Sequence, residues 1–179
     1  MTAVINLASA DLASYVRDVP DFPSPGILFK DITPLLASPE AFAAAVREMA
    51  TPFRGRGAAK VLGIEARGFM FGAALARELH IGFVPVRKPV KLPRATERVS
   101  YGLEYGSDSL EIHTAALARG ERILIADDVL ATGGTAAAAA ELVDRLGGEV
   151  MGISFFIELT KLKGRAKLPG RSIHSVLML

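Results

Sequence analysis

The chain has 179 residues, half of them apolar, no cysteine, and 21 Lys and Arg against 19 Asp and Glu, giving a formal net charge of +2. That length allows one domain with a sizeable core, and the absence of cysteine excludes disulfides, thiolate catalysis and Cys-ligated zinc. So small a net charge offers no electrostatic footprint for nucleic acid, and any anion site must be local.

No apolar run approaches the roughly 18 residues of a membrane span. The first residues lack the basic start of a secretory signal, so a cytoplasmic location is expected. Ser9 can cap a helix over 10–17, after which Pro20, Pro23 and Pro25 are expected to prevent regular structure until about Ile27. Ser38, Pro39 and Glu40 then mark a helix start, with alanine-rich helix to Met49. After a turn at Gly55-Arg56-Gly57, residues 61–64 read as a buried strand and 69–79 as a helix. Further strands are predicted at 83–86, 122–126 and 150–157, with a helix at 134–146. This alternation indicates an α/β fold, a central and mostly parallel sheet flanked by helices. Residues 88–112 break the pattern and resemble an antiparallel flap turning at Gly106-Ser107-Asp108, while 166–179 carry little signal. One domain is expected, with a hood formed by 1–34 and a flexible flap at 88–112.

The most informative segment is the apolar strand Ile123-Leu124-Ile125-Ala126, followed by Asp127-Asp128, Val129-Leu130 and then Ala131-Thr132-Gly133-Gly134-Thr135 at a helix start. A helix N-terminus presents unpaired N–H groups and partial positive charge, and glycines let a phosphate approach the backbone. Thr132 and Thr135 add hydroxyl donors, and a carboxylate pair can accept hydrogen bonds from vicinal ribose hydroxyls or help hold magnesium through water. In a regular strand Asp127 and Asp128 face opposite sides, so both line one site only if the strand ends there. Glu65-Ala66-Arg67-Gly68 occupies a similar strand end, where a guanidinium suits pyrophosphate. No dinucleotide loop, Walker A sequence, nucleophile elbow or local histidine metal motif is present, and His80, near a helix end, reads as a cap.

The run from Ile123 to Thr135 closely resembles the phosphoribosyl pyrophosphate signature of the type I phosphoribosyltransferases. The resemblance implies that Ala131, Thr132, Gly133, Gly134 and Thr135 wrap a 5′-phosphate and that Asp127 and Asp128 face the ribose hydroxyls. It also implies that Glu65, Ala66, Arg67 and Gly68 form the pyrophosphate loop, with Ala66 in place of the family's serine. Arg87, Lys88 and Lys91 join it as pyrophosphate ligands, with Arg87 nominated as the basic residue that crosses a homodimer interface. The segments 22–34 and 101–106 resemble the adenine-using branch of the family. They imply adenine stacked on Phe29 near Leu28, Lys30 and Val129, with Lys30, where the family often has arginine, contributing its backbone. Glu104 would exchange a proton with the base, with Arg67 and Lys88 completing the catalytic set. The implied reaction joins adenine to phosphoribosyl pyrophosphate, giving AMP and pyrophosphate, with Mg2+ held through pyrophosphate, ribose hydroxyls and water. Two rivals stay open: transfer to another base, or a noncatalytic regulator that binds phosphoribosyl pyrophosphate as a signal. No nucleic-acid or membrane partner is expected.

Overall fold

The computed structural model describes residues 9–102 and 107–179. Five parallel strands form the central sheet in the order β4-β3-β7-β8-β9: β3 (Lys60–Ile64), β4 (Gly82–Val86), β7 (Arg122–Leu130), β8 (Glu149–Glu158) and β9 (Ile173–Met178). Successive side chains of a strand point to opposite faces, and both faces of this sheet are covered, so its strands read as continuous apolar runs. Val61, Leu124 and Ala126 enter one core with α3 (Pro39–Ala50) and α4 (Gly68–Leu79). Leu62, Ile123 and Ile125 enter a second core under α5 (Gly134–Arg145). Phe71 of α4 stacks on Phe156 of β8, with ring centroids 5.6 Å apart.

The alternating strands and helices follow the sequence reading. Ser38 accepts a hydrogen bond from the Ala41 amide at 3.2 Å and caps α3 ahead of Pro39. Ser38→Ala is therefore expected to lower stability by about 1 kcal/mol in a denaturant titration without changing the site. His80 closes α4 as a left-handed cap whose amide donates to Ala76 and Arg77.

Several expectations are corrected. The first helix, α1, covers only Ser9–Leu12 and passes through a 3-10 turn at Ala13–Tyr15 into β1 (Arg17–Pro20). The proline segment does not exclude strands: β1 pairs antiparallel with β2 (Leu28–Asp31), and the prolines at 23 and 25 shape only the loop between them. Pro20 sits at the end of its strand, where a missing donor costs least. A short α2 (Thr33–Ala37) leads from β2 to α3. Third, β7 does not stop at Ala126 but runs to Leu130. Finally, the region 166–179 holds β9, which edges the sheet beside β8.

Residues expected as a flap form an antiparallel hairpin, β5 (Thr96–Gly102) and β6 (Ser107–His113), in which Tyr101 faces Asp108 and Gly102 faces Ser107. Ser107 and Asp108 are thus strand residues, not turn residues. Val99, Leu110 and Ile112 are buried in the α5 core, so the base of the hairpin belongs to the body of the protein. The expected turn residue Gly106 and the candidate acid–base residue Glu104 lie outside the described residues.

Candidate active site

The carboxyl ends of β3, β7 and β8 converge on a cavity of about 510 Å³, at the edge where open parallel sheets bind ligands. Its wall combines Leu28, Phe29 and Lys30 of β2, Glu65, Ala66 and Arg67 after β3, Lys88 after β4, Asp127, Asp128 and Val129 of β7, and Ala131 and Thr135. A smaller recess of about 60 Å³ continues it, lined by Asp127, Ala131, Thr132, Gly133 and Thr135. Gly68, Arg87, Lys91 and Gly134 do not line the main cavity.

The phosphate-type loop rests on one glycine that no other residue can replace without movement. Gly133 sits at φ +81, and a Cβ there would lie 2.3 Å from the Gly164 carbonyl oxygen. No side chain caps α5, so the amides of its first turn face outward for an anion. Thr135 Oγ1 lies 3.5 Å from the Tyr101 hydroxyl, which brings the hairpin against this loop.

Both aspartates reach the cavity although the strand continues, because β7 outruns its neighbour: pairing with β3 ends at Ala126, and only β8 stays bonded beyond it. Gly68 makes room for Asp127, since a Cβ at Gly68 would lie 2.7 Å from Asp127 Oδ1. That oxygen accepts the Asp128 amide at 2.9 Å. Burial, and then the neighbouring Asp128 charge, push the Asp127 carboxyl well above the usual carboxylate range. Burial also raises Asp128, against the pull of Arg67, whose Nε is 2.7 Å from Asp128 Oδ2. The contact is one of charge, and Asp128 Oδ2 remains buried without a hydrogen bond.

Arg67 lies between this carboxylate and an aromatic face, its guanidinium 4.8 Å from the Phe29 ring centre. Phe22 packs edge-on against Phe29 at 5.1 Å. Lys30 turns its ammonium out to Asp18, 2.6 Å away on the paired strand. Lys88 Nζ is held by Asp108 and by the Tyr101 hydroxyl, the latter at 3.1 Å. Arg87 is engaged within the chain: its guanidinium spans both Glu65 oxygens at 3.2 and 2.9 Å, and it also donates to the Lys91 carbonyl at 3.1 Å. The Arg87 bonds to Glu65, and after them a bond from the Lys88 amide, hold the Glu65 carboxyl below its ordinary range against its burial.

Sequence reasoning missed Leu159 and Leu162, which complete the apolar wall beyond β8. The only signal for Leu159 was its place just past a strand's carboxyl end.

For magnesium, no cluster of three His, Cys, Asp or Glu able to hold a metal occurs among the described residues. The residues present still fit a cation that keeps most of its waters and is held largely by substrate oxygens, since the buried Asp128 Oδ2 accepts no hydrogen bond and is met only by the charge of Arg67.

Residues 35–169 match the profile of the phosphoribosyl transferase domain. A Myxococcus xanthus protein named adenine phosphoribosyltransferase is 54% identical over 168 residues, 94% of this chain and 91% of its own length. The crystal structure of adenine phosphoribosyltransferase from Rhodothermus marinus superposes with a TM-score of 0.92 at 53% identity, covering 96% of this chain and 98% of that one. The Saccharomyces cerevisiae enzyme, solved with an imino-altritol bisphosphate and adenine, gives a TM-score of 0.86 at 40% identity, over 94% and 97% of the two chains.

Proposed function

The chain belongs to the phosphoribosyl transferase family, and from that membership we propose that it transfers the 5-phosphoribosyl group of phosphoribosyl pyrophosphate to adenine, yielding AMP and pyrophosphate. The observation that carries this reading is a cavity that Asp127, Asp128, Ala131 and Thr135 share with Phe29, continued by a recess that Thr132 and Gly133 line. Relatives over nearly the full chain bear the name of that activity.

In the proposed site the 5′-phosphate occupies the Ala131 to Thr135 loop, and the ribose hydroxyls donate to Asp127 and Asp128. Pyrophosphate lies toward Arg67 and Lys88, and adenine toward Phe29, Leu28 and Val129. The bond from ribose C1′ to pyrophosphate breaks, and the adenine N9 bond to the same carbon forms. Positive charge develops on the ribose and negative charge on the leaving group. The aspartates balance the first, Arg67 and Lys88 the second, and such fixed charges are the main means of lowering the barrier. Magnesium, when bound, adds positive charge to the leaving pyrophosphate. Leu159 and Leu162 help exclude water, which would otherwise hydrolyse the activated sugar. Glu104 takes the proton released from N9.

Purified protein, magnesium and phosphoribosyl pyrophosphate, mixed with each purine in turn, test the proposal. AMP formed in preference to other nucleotides supports it, and a preference for hypoxanthine or guanine overturns the choice of base. Glu104→Gln is expected to lower turnover by about 10² to 10⁴ with little change in phosphoribosyl pyrophosphate binding. Unchanged turnover would remove Glu104 from the mechanism.

A cytoplasmic setting and a homodimer belong to the same proposal. The cysteine-free composition suits a reducing compartment, and the family resemblance supports the dimer, which sedimentation can check. No helix among the described residues is long and apolar enough to cross a membrane.

A further inference from the structure

The segment that leaves β4 carries Lys88 to the cavity, and carboxylates grip it on both sides. Glu65 Oε2 accepts the Lys88 amide at 2.9 Å. Glu111 of β6, only 3% exposed, takes the other flank. Its backbone exchanges two hydrogen bonds with Arg87, at 2.9 and 2.7 Å, and its Oε2 accepts the Val90 amide at 3.2 Å. Arg98, directly opposite on β5, occupies the other oxygen of Glu111 with Nε at 2.7 Å and with Nη2. One carboxylate oxygen is therefore saturated, and the other is aimed at the Lys88 segment.

Val90 is where this grip matters. It sits at φ +65, in the left-handed region that a β-branched residue avoids. With 89% of its surface exposed, it has no packing to keep it there. Beside the Arg87 bond to the Lys91 carbonyl, the bond to Glu111 is the contact made by Val90 itself that offsets the conformational cost, and releasing it lets the chain relax two residues from Lys88.

We propose that Glu111 is a positioning residue for the pyrophosphate end of the reaction, fixing the backbone of residues 87–90 through the Val90 amide so that Lys88 faces the cavity. This rests on the phosphoribosyl-transfer reading above. Glu111 touches no substrate, and its effect passes through the peptide it holds.

Two substitutions break the same bond from opposite ends. Glu111→Met removes the acceptor and fills the space, and Arg98, with half its side chain exposed, can turn to water. Val90→Pro removes the donor and sets φ near −65°, at a surface residue where folding is not at stake. Each is expected to raise the KM for phosphoribosyl pyrophosphate about tenfold and to lower kcat as Lys88 loses its place beside the leaving group, leaving the adenine KM within about twofold of the parent. The double variant should be no worse than Val90→Pro alone, because the bond can be lost only once. Val90→Gly keeps the amide and adopts positive φ freely, so it should match the parent. A parental KM in Val90→Pro, or effects that multiply in the double variant, would overturn the proposal. Pyrophosphate affinity by calorimetry carries the same comparison without any base. A parent that binds pyrophosphate but makes no AMP would sink the adenine reading, and this inference would still be decided by the variants.

Discussion

Replacing Arg67 with alanine is expected to raise the KM for phosphoribosyl pyrophosphate by about one to two orders of magnitude, the value of one or two charge-assisted hydrogen bonds. The same change removes the charge 2.7 Å from Asp128, whose side chain is 7% exposed. A carboxylate left in that position without its partner destabilises the fold by about 3 kcal/mol, the lower end of the range for a broken buried pair, because Arg67 is itself one-third exposed. The pH dependence has a definite sign. Asp128 is raised by burial and pulled down by Arg67, so its removal lifts the folded-state value further. A carboxyl raised in the folded state binds its proton more tightly there than in the unfolded chain, so stability falls as pH rises from its ordinary 3.8 through the raised value. The variant should therefore lose most stability at neutral and alkaline pH and recover toward the parent as the solution is acidified. Denaturant titrations at several pH values check this, and a deficit independent of pH would mean that Arg67 does not govern Asp128. Arg67→Lys should restore much of the stability but not the forked hold on pyrophosphate that the proposal gives to the guanidinium.

Gly133→Ala should be nearly as damaging to activity, for a reason of backbone geometry. At φ +81 the methyl group adds left-handed strain of about 1 to 2 kcal/mol. It would also stand 2.3 Å from the Gly164 carbonyl oxygen, so either the loop or the 3-10 turn at Gly164–Lys167 must retreat. Any retreat opens the loop proposed to hold the 5′-phosphate, and a displacement near 1 Å can cost about 10² in rate. The expected result is a drop of about that size in kcat/KM for phosphoribosyl pyrophosphate, with the adenine KM unchanged. Activity near the parental level would show that the phosphate binds elsewhere.

How much of this was legible beforehand depended on the physics of each element. The strands that hold the site are buried on both faces, so Val61 to Ile64 and Ile123 to Ala126 announce themselves as apolar runs. Ser38 and Pro39 mark a helix start by local chemistry alone. The hood strands did not announce themselves, because three prolines hide a ribbon whose strands are only four residues long. The C-terminal strand Ile173–Met178 was equally silent, being an edge strand of mixed polarity. The cavity shows the same division. Charged groups and glycines at strand ends carry a chemical signature, and Asp127, Asp128, Arg67 and Lys88 do meet in one space. Apolar wall residues such as Leu159 and Leu162 carry none. Nor could spacing reveal that Arg87 is engaged by Glu65, since the two residues are 22 positions apart.

The position of Tyr101 has a practical consequence. The chain contains no tryptophan and three tyrosines, so under excitation at wavelengths longer than phenylalanine absorbs its ultraviolet emission comes from phenols alone. One of those phenols stands among Lys88, Asp108 and Thr135, at the junction of the hairpin and the glycine loop. Arrival of an anion there changes the charge around an emitting ring, which gives the native polypeptide an intrinsic optical signal for titration without any attached dye.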